Sequence, residues 1–213
     1  MRAIWTRLAA GIATLALALA SGAANAECDF LTGGGFIIIN TITYTAKANF
    51  GVGGGCKDGT PTWGHLEYID HGYVVDHGPG LNVHATSITG YNEQFTTTDS
   101  RGRRFGSRFI CGTARTNLES PNDDVNFVVR ARDTGEPGVM DEFDIELRKG
   151  GTFAQGGVPV YTTDPLFVPP HHQLNDGNGG GGNIQLQKPN PSTKTGNFSD
   201  PVSCPGLVVV VPG

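Results

Sequence analysis

The clearest regularity along the chain has a period of two. Ile42, Tyr44, Ala46, Ala48 and Phe50 alternate with Thr43, Thr45, Lys47 and Asn49, which places the bulky apolar groups on one side of an extended strand. The alternation returns at Val125, Phe127, Val129 and Ala131 against Asn126, Val128, Arg130 and Arg132, and again at Phe143, Ile145 and Leu147 against Glu142, Asp144, Glu146 and Arg148. Each segment is expected to bury one face and wet the other. Shorter strands are predicted at 36–40, 63–70, 81–88, 105–115 and 183–187, bounded by Gly, Pro, Asn or Asp clusters that end strands and supply turns. No ten-residue window combines helical spacing with a cap and freedom from Gly, so little or no helix is expected. About eight short strands with frequent turns predict an all-β fold, an antiparallel β-sandwich of immunoglobulin-like or jelly-roll type.

Composition sharpens this picture. With 32 Gly and 13 Pro among 213 residues, about a fifth of the chain disfavours a helical bundle. A hydrophobic share of 38%, a charged share of 16% and a mean hydropathy of −0.19 exclude both a highly charged disordered tail and a membrane bundle. Residues 1–26 read as a secretory signal peptide: Arg2 and Arg7 form a positive start, 8–20 is a charge-free Ala/Leu run, and Ala24-Asn25-Ala26 is a small-residue cleavage site. Cleavage at about Ala26/Glu27 would deliver the chain to the periplasm or the exterior, and no second transmembrane stretch follows. The mature chain is expected to form one domain over 27–188, with a long Pro/Gly-rich loop at about 156–182 and a tail at 189–213 tied by Cys204.

Loss of Arg2 and Arg7 takes the formal charge from −5 to −7, since the leader holds no acidic residue. That balance argues against a nucleic-acid partner. The one basic cluster, Arg101, Arg103, Arg104 and Arg108, is expected to be a solvated hairpin turn. Four cysteines in an exported chain predict two disulfides. Of the three pairings that four cysteines allow, Cys56–Cys111 and Cys28–Cys204 are expected, the second joining the ends of the mature chain.

Two segments offer ligand chemistry. His65, Asp70, His71, Asp76, His77 and His84 supply imidazoles and carboxylates suited to a transition metal, with His65, His71, His77 and His84 as the ligand candidates. His65 and His71 lie about 20 Å apart in an extended strand, so they share a metal only if the chain turns between them. The simpler alternative puts His65 and His84 on facing strands within hydrogen-bonding reach. Asp133, Glu136 and Asp141 bring oxygens around two glycines, which suits Ca2+. The same residues also suit a hairpin turn in which Asp133 bonds backbone amides and Gly135 and Gly138 take positive φ. The glycine runs at 51–55 and 179–182 open no amphipathic helix and are read as turns. No nucleophile elbow is present, and no catalytic constellation is complete.

Four blocks carry a resemblance: Gly64-His65-Leu66-Glu67-Tyr68-Ile69-Asp70-His71, the stretch from Gly80 to Thr89, Asp133-Thr134-Gly135-Glu136-Pro137-Gly138 with Asp141 and Phe143, and Gly181-Gly182-Asn183-Ile184-Gln185-Leu186. In their order they resemble the bacterial secreted post-COAP domain family, found behind choice-of-anchor A domains. The resemblance runs from about Gly33 to Gln187. It implies a small extracellular β-domain, an accessory of surface or secreted proteins, and brings no catalytic residues. The chain departs from that family in a longer 152–179 stretch and in Tyr73-Val74-Val75-Asp76-His77. The functional expectation is a non-catalytic secreted or cell-surface module for binding, adhesion or structure, with a cell-surface protein or carbohydrate as partner. The alternative is a metal-dependent hydrolase or oxygenase on a jelly-roll scaffold using the His/Asp cluster.

Overall fold

The computed structural model describes residues 27–76, 80–120, 123–138, 140–151, 155, 157–163, 171–175, 180–200 and 204. The leader expected at 1–26, His77 and the apolar run at 207–211 lie outside the described residues. The chain forms nine antiparallel strands: β1 Phe30–Asn40, β2 Thr45–Lys57, β3 Thr60–Asp70, β4 Leu81–Thr98, β5 Arg104–Thr116, β6 Asp123–Asp133, β7 Glu142–Lys149, β8 Val158–Thr162 and β9 Gly181–Gln187. They make one sheet in the order β8-β7-β6-β5-β4-β3-β2-β1-β9. Successive strands are neighbours from β1 to β8, and β9 returns to the far side of β1. Among the described residues there is no α-helix, and none long and apolar enough to cross a membrane.

The sheet folds over on itself, so its two halves face each other as a sandwich. Phe50 on β2 stacks on Phe143 of β7, with ring centroids 3.9 Å apart and planes within 9°. Tyr68 on β3 lies 6.0 Å from Phe143 and 5.9 Å from Tyr161 on β8. The long strands β4 and β5 pass from one half to the other, bent where their register shifts at Ala85/Ser87, Ile88/Gly90 and Glu93/Phe95. Inward positions follow the two-residue period: Ala48, Phe50 and Val52 on β2, Leu66 and Tyr68 on β3, Val125, Phe127 and Val129 on β6 are all buried. Removal of such a side chain costs both its transfer free energy and the cavity that it leaves.

Two fully buried carboxylates, Asp70 and Asp29, are each held by several donors. Asp70 accepts from Tyr44 Oη at 2.7 Å and Tyr161 Oη at 2.8 Å on one oxygen, and from the amides of Gly72 and Tyr73 on the other. At the opposite end Asp29 accepts from Arg108, Arg104 and Tyr91.

Four expectations require correction. The disulfides are Cys28–Cys56 and Cys111–Cys204, with Cα separations of 5.9 and 5.4 Å, not Cys56–Cys111 and Cys28–Cys204. Cys28 lies two residues before the start of β1, whose partner β2 ends beside it, so the neighbour set by register is Cys56. Cys204 ties the tail to the outer side of β5.

The glycine run 51–55 is not a turn but the second half of β2. Ile42, predicted to start the alternating strand and face the core, sits fully exposed in the β1–β2 turn. Within the expected 156–182 loop, Val158–Thr162 forms β8, and residues 171–175 follow it along the same side of β7. Phe143 N donates to His172 O, and Leu174 N donates to Asp141 O.

Those two segments explain the third correction, that the charged side of β6 and β7 is not wet. Arg130, Glu142, Asp144 and Glu146 are all buried. Arg130 bonds Glu142 at 2.6 Å, Arg132 bonds Glu142 at 2.7 Å, and His171 and His172 approach Asp144 at 2.8 and 3.1 Å. Burial works against the charge on Asp144, but hydrogen bonds and charge from the two histidines outweigh it and hold this carboxyl below its ordinary range.

The basic cluster supplies the fourth correction. Arg101 and Arg103 do flank a turn organised by Asp99, whose carboxylate accepts both of their amides. Arg108 is instead completely buried, with its guanidinium on Asp29 at 2.6 Å and Glu93 at 3.1 Å.

Candidate binding site

The last strand is held in place by the carboxylates that looked like calcium ligands. The free edge of β9 meets the end of β6 and the β6–β7 turn. Leu186 N donates to Asp133 Oδ2 at 2.7 Å, and Ile184 N donates to Asp141 Oδ2, also at 2.7 Å. The remaining oxygens are also engaged: Asp133 Oδ1 accepts from Gly135 N at 2.6 Å, and Asp141 Oδ1 accepts from the amide and hydroxyl of Thr134. Gly135 and Gly138 adopt φ of 106° and 76°, the turn geometry that glycine permits. Burial pushes both carboxyls above the usual carboxylate range, against the lowering pull of the amides, and repulsion from Glu136 adds to the rise. Glu136 is exposed and accepts from the side chains of Gln185 and Asn183. The three acids therefore converge, but they converge on β9 and clasp it.

The histidines divide differently. His65 on β3 and His84 on β4 come together, with ring centroids 5.7 Å apart and Glu67 between them, 3.1 Å from His65 Nε2 and in contact with His84 Nδ1. His71 lies beyond the end of β3, where its amide donates to Lys47 O, away from that pair. Asp70 is consumed by the tyrosine network. Among the described residues no three His, Cys, Asp or Glu side chains form a group that could hold a metal ion.

The clasp builds a cleft. Where β9 meets the β4–β5 hairpin and the β6–β7 turn, a cavity of about 700 Å³ is lined by Phe30, Phe105, Arg103, Arg104, Glu136, Gln185, Gln187 and Lys188. A smaller hollow of about 180 Å³ shares Phe30 and Asn190 with it and reaches Trp63 and Lys57. Trp63 is 38% exposed and meets Phe30 edge to face at 6.1 Å.

The surface beyond follows from strand register, because directly paired residues point to the same side. One row across the outer face reads Gln187, Phe30, Gly55, Trp63. The next reads Gln185, Thr32, Gly53, His65, and the third Asn183, Gly34, Gly51, Glu67, His84. Down the middle runs glycine. A Cβ on Gly51 would meet nothing within 4 Å, so that position opens to solvent, and one on Gly53, itself buried, would meet nothing closer than 3.9 Å. Gly55 differs, since a Cβ there would lie 2.3 Å from Phe30 Cβ; its bareness lets the Phe30 and Trp63 rings meet across the strand. The result is a trough floored by Gly51 and Gly53, about 10 Å between the flanking backbones, that ends at Gly55 where the Phe30 and Trp63 rings touch. One wall carries Trp63, His65 and Glu67, and the other carries Phe30 and Thr32 backed by the amides of β9.

Sequence reasoning missed this site. Phe30, Trp63, Glu67, Gln185 and Gln187 were not singled out, and the signal that could have found them is the alternation of Gly51, Gly53 and Gly55 with inward Val52, Gly54 and Cys56. No family model, curated protein or solved structure matches this chain.

Proposed function

We propose that the chain is an exported, non-catalytic binding domain whose ligand seats in the cleft beside β9. The observation that carries this reading is the convergence of two part-buried rings and several planar polar groups in one cavity of about 700 Å³, a size typical of ligand sites. Two disulfides brace the scaffold on which those groups stand, and they fit an oxidising compartment of the kind that the leader addresses. The resemblance to the post-COAP family supports an accessory role at the bacterial surface. The alternative, a metal-dependent hydrolase or oxygenase, would draw on groups that the fold already employs: Asp133 and Asp141 hold β9, Asp70 holds two tyrosine hydroxyls and two turn amides, and His65 and His84 share Glu67.

The reading is tested by titrating the disulfide-bonded protein with soluble cell-surface polysaccharide fragments and with peptides, following backbone amide shifts. Saturable shifts that include Phe105, Gln185 and Gln187, lost in Phe105→Ala, are expected. No shift at these cleft residues with any probe overturns it.

A further inference from the structure

We infer that the ligand is an uncharged polysaccharide chain, lying in the cleft and crossing over the touching Phe30 and Trp63 rings onto the glycine trough. This deepens the binding-domain reading and rests on it. The first ground is charge. Around the cleft and the trough both signs of charge are interspersed: Arg103 bonds Asp99 at 2.7 Å, Arg104 bonds Asp29 at 2.9 Å, Lys188 and Glu136 line the same cavity, Lys57 lines the adjoining hollow, and Glu67 lies between two imidazoles. No sign of charge dominates, so an anionic or cationic chain would meet as much repulsion as attraction. A polyanion such as nucleic acid is further disfavoured by the net charge of −5.

The second ground is the kind of group presented. Rings at Phe30 and Trp63 offer apolar surface for the C–H side of a sugar, and the side-chain amides of Gln185 and Gln187, which line the cavity, carry donors and acceptors suited to hydroxyls. The third ground is what the face withholds. Backbone amides and carbonyls of β1, β2 and β3 are spent within the sheet, so a peptide could not add here as a strand, which requires a free edge. The trough is not a contiguous apolar patch, so a lipid surface has little to bury. The bare floor at Gly51 and Gly53 accepts a ligand longer than the cleft alone, and this favours a chain over a single sugar.

The test is calorimetric titration and amide-shift mapping of the disulfide-bonded protein with cellohexaose, xylohexaose, mannohexaose and chitohexaose as uncharged probes. Oligogalacturonate and a mixed-charge peptide serve as charged ones. At least one uncharged hexasaccharide is expected to bind, with shifts at the Trp63 indole and at the Gln185 and Gln187 side-chain amides. Trp63→Ala should weaken that binding roughly tenfold or more. Gly51→Val should weaken it comparably while leaving the amide spectrum folded, because the added group stands in open space. No binding of any uncharged probe, or binding that both variants leave unchanged, overturns the inference. Should only a charged probe bind in the cleft, the uncharged-chain inference falls and the binding-domain reading stands; should nothing bind, both fall.

Discussion

Replacing Asp133 by Asn removes a charge but leaves the shape, which makes it a sharp probe of the clasp on β9. Asp133 accepts two backbone amides, Gly135 N at 2.6 Å and Leu186 N at 2.7 Å, one on each oxygen. An asparagine has a single acceptor oxygen, so one of those amides would face an NH2 group and keep no partner. A hydrogen bond to a charged group contributes about 1.5–3 kcal/mol, and a buried orphan donor costs about 1–3 kcal/mol. Part of that is returned, because burial and the neighbouring Asp141 and Glu136 already oppose the charge on Asp133. The net loss is expected near 2 kcal/mol, a factor of roughly 30 in the opening equilibrium of β9. Two assays read it. Amide hydrogen exchange at Leu186 should accelerate by about that factor, and a urea midpoint should fall by a matching amount at unchanged slope. Asp141→Asn, which strips a partner from Ile184 N or Thr134 N, should behave alike. The double variant should lose less than the two single losses combined, because either one already frees the strand. Unchanged exchange at Leu186, or strict additivity of the pair, would refute the clasp.

Arg108→Met should cost about 3–5 kcal/mol by leaving Asp29 buried with fewer partners, and a compensating Asp29→Leu should restore part of it in chemical denaturation; no recovery would show that packing, not charge, dominates there. Gly51→Val should raise stability by roughly 0.5–1 kcal/mol, since valine suits an extended strand and nothing crowds the position; destabilisation would contradict the open trough. Asp144 is held below its ordinary value, so its contribution is present above the unfolded carboxyl pKa and is lost as pH falls through the folded one. The stability gap between the protein and a His171→Ala/His172→Ala variant should therefore shrink on going from neutral pH to about pH 3, and a gap that does not change with pH would refute the pairing. Cys111→Ser/Cys204→Ser releases a closure spanning 93 residues, worth about 4–5 kcal/mol at most by chain entropy, and should speed proteolysis within the tail before the sheet; an unchanged cleavage pattern would exclude that anchor.

The sandwich was legible because the burial of one side of a strand leaves a mark at every second residue. Phe127 and Val129, or Ile145 and Leu147, have no other reason to alternate with arginine and glutamate. The same logic misjudged the opposite side of β7. Alternation states that Glu142, Asp144 and Glu146 point away from the apolar core, but not that water waits there, and here His171 and His172 lie over Asp144 instead. The arginine cluster failed for a related reason: four neighbouring cations resemble a solvated turn until register reveals that Arg108 faces Asp29, 79 residues earlier in the chain. The disulfide pairing failed because it depends on which strands are neighbours. Once β1 lies antiparallel to β2, Cys28 falls beside Cys56, and no spacing rule over four cysteines contains that information.

The binding face was the least legible part, because its central feature is a lack of side chains. Glycine in sequence signals a turn, and Gly51-Val52-Gly53-Gly54-Gly55 reads as one. In β2 the same residues do two different tasks on opposite sides. Gly54 faces inward, where a Cβ would lie 2.7 Å from Ile110 and 2.9 Å from Tyr91, so its absence admits those larger groups to the core. Gly51 and Gly53 face outward and crowd nothing, so packing gives no reason for them to be bare, and glycine weakens a strand. A position that sacrifices strand stability without relieving a contact calls for a reason outside the fold. The trough supplies one: any side chain at Gly51 or Gly53 would stand on its floor, between Thr32 and Gly34 on one wall and His65 and Glu67 on the other.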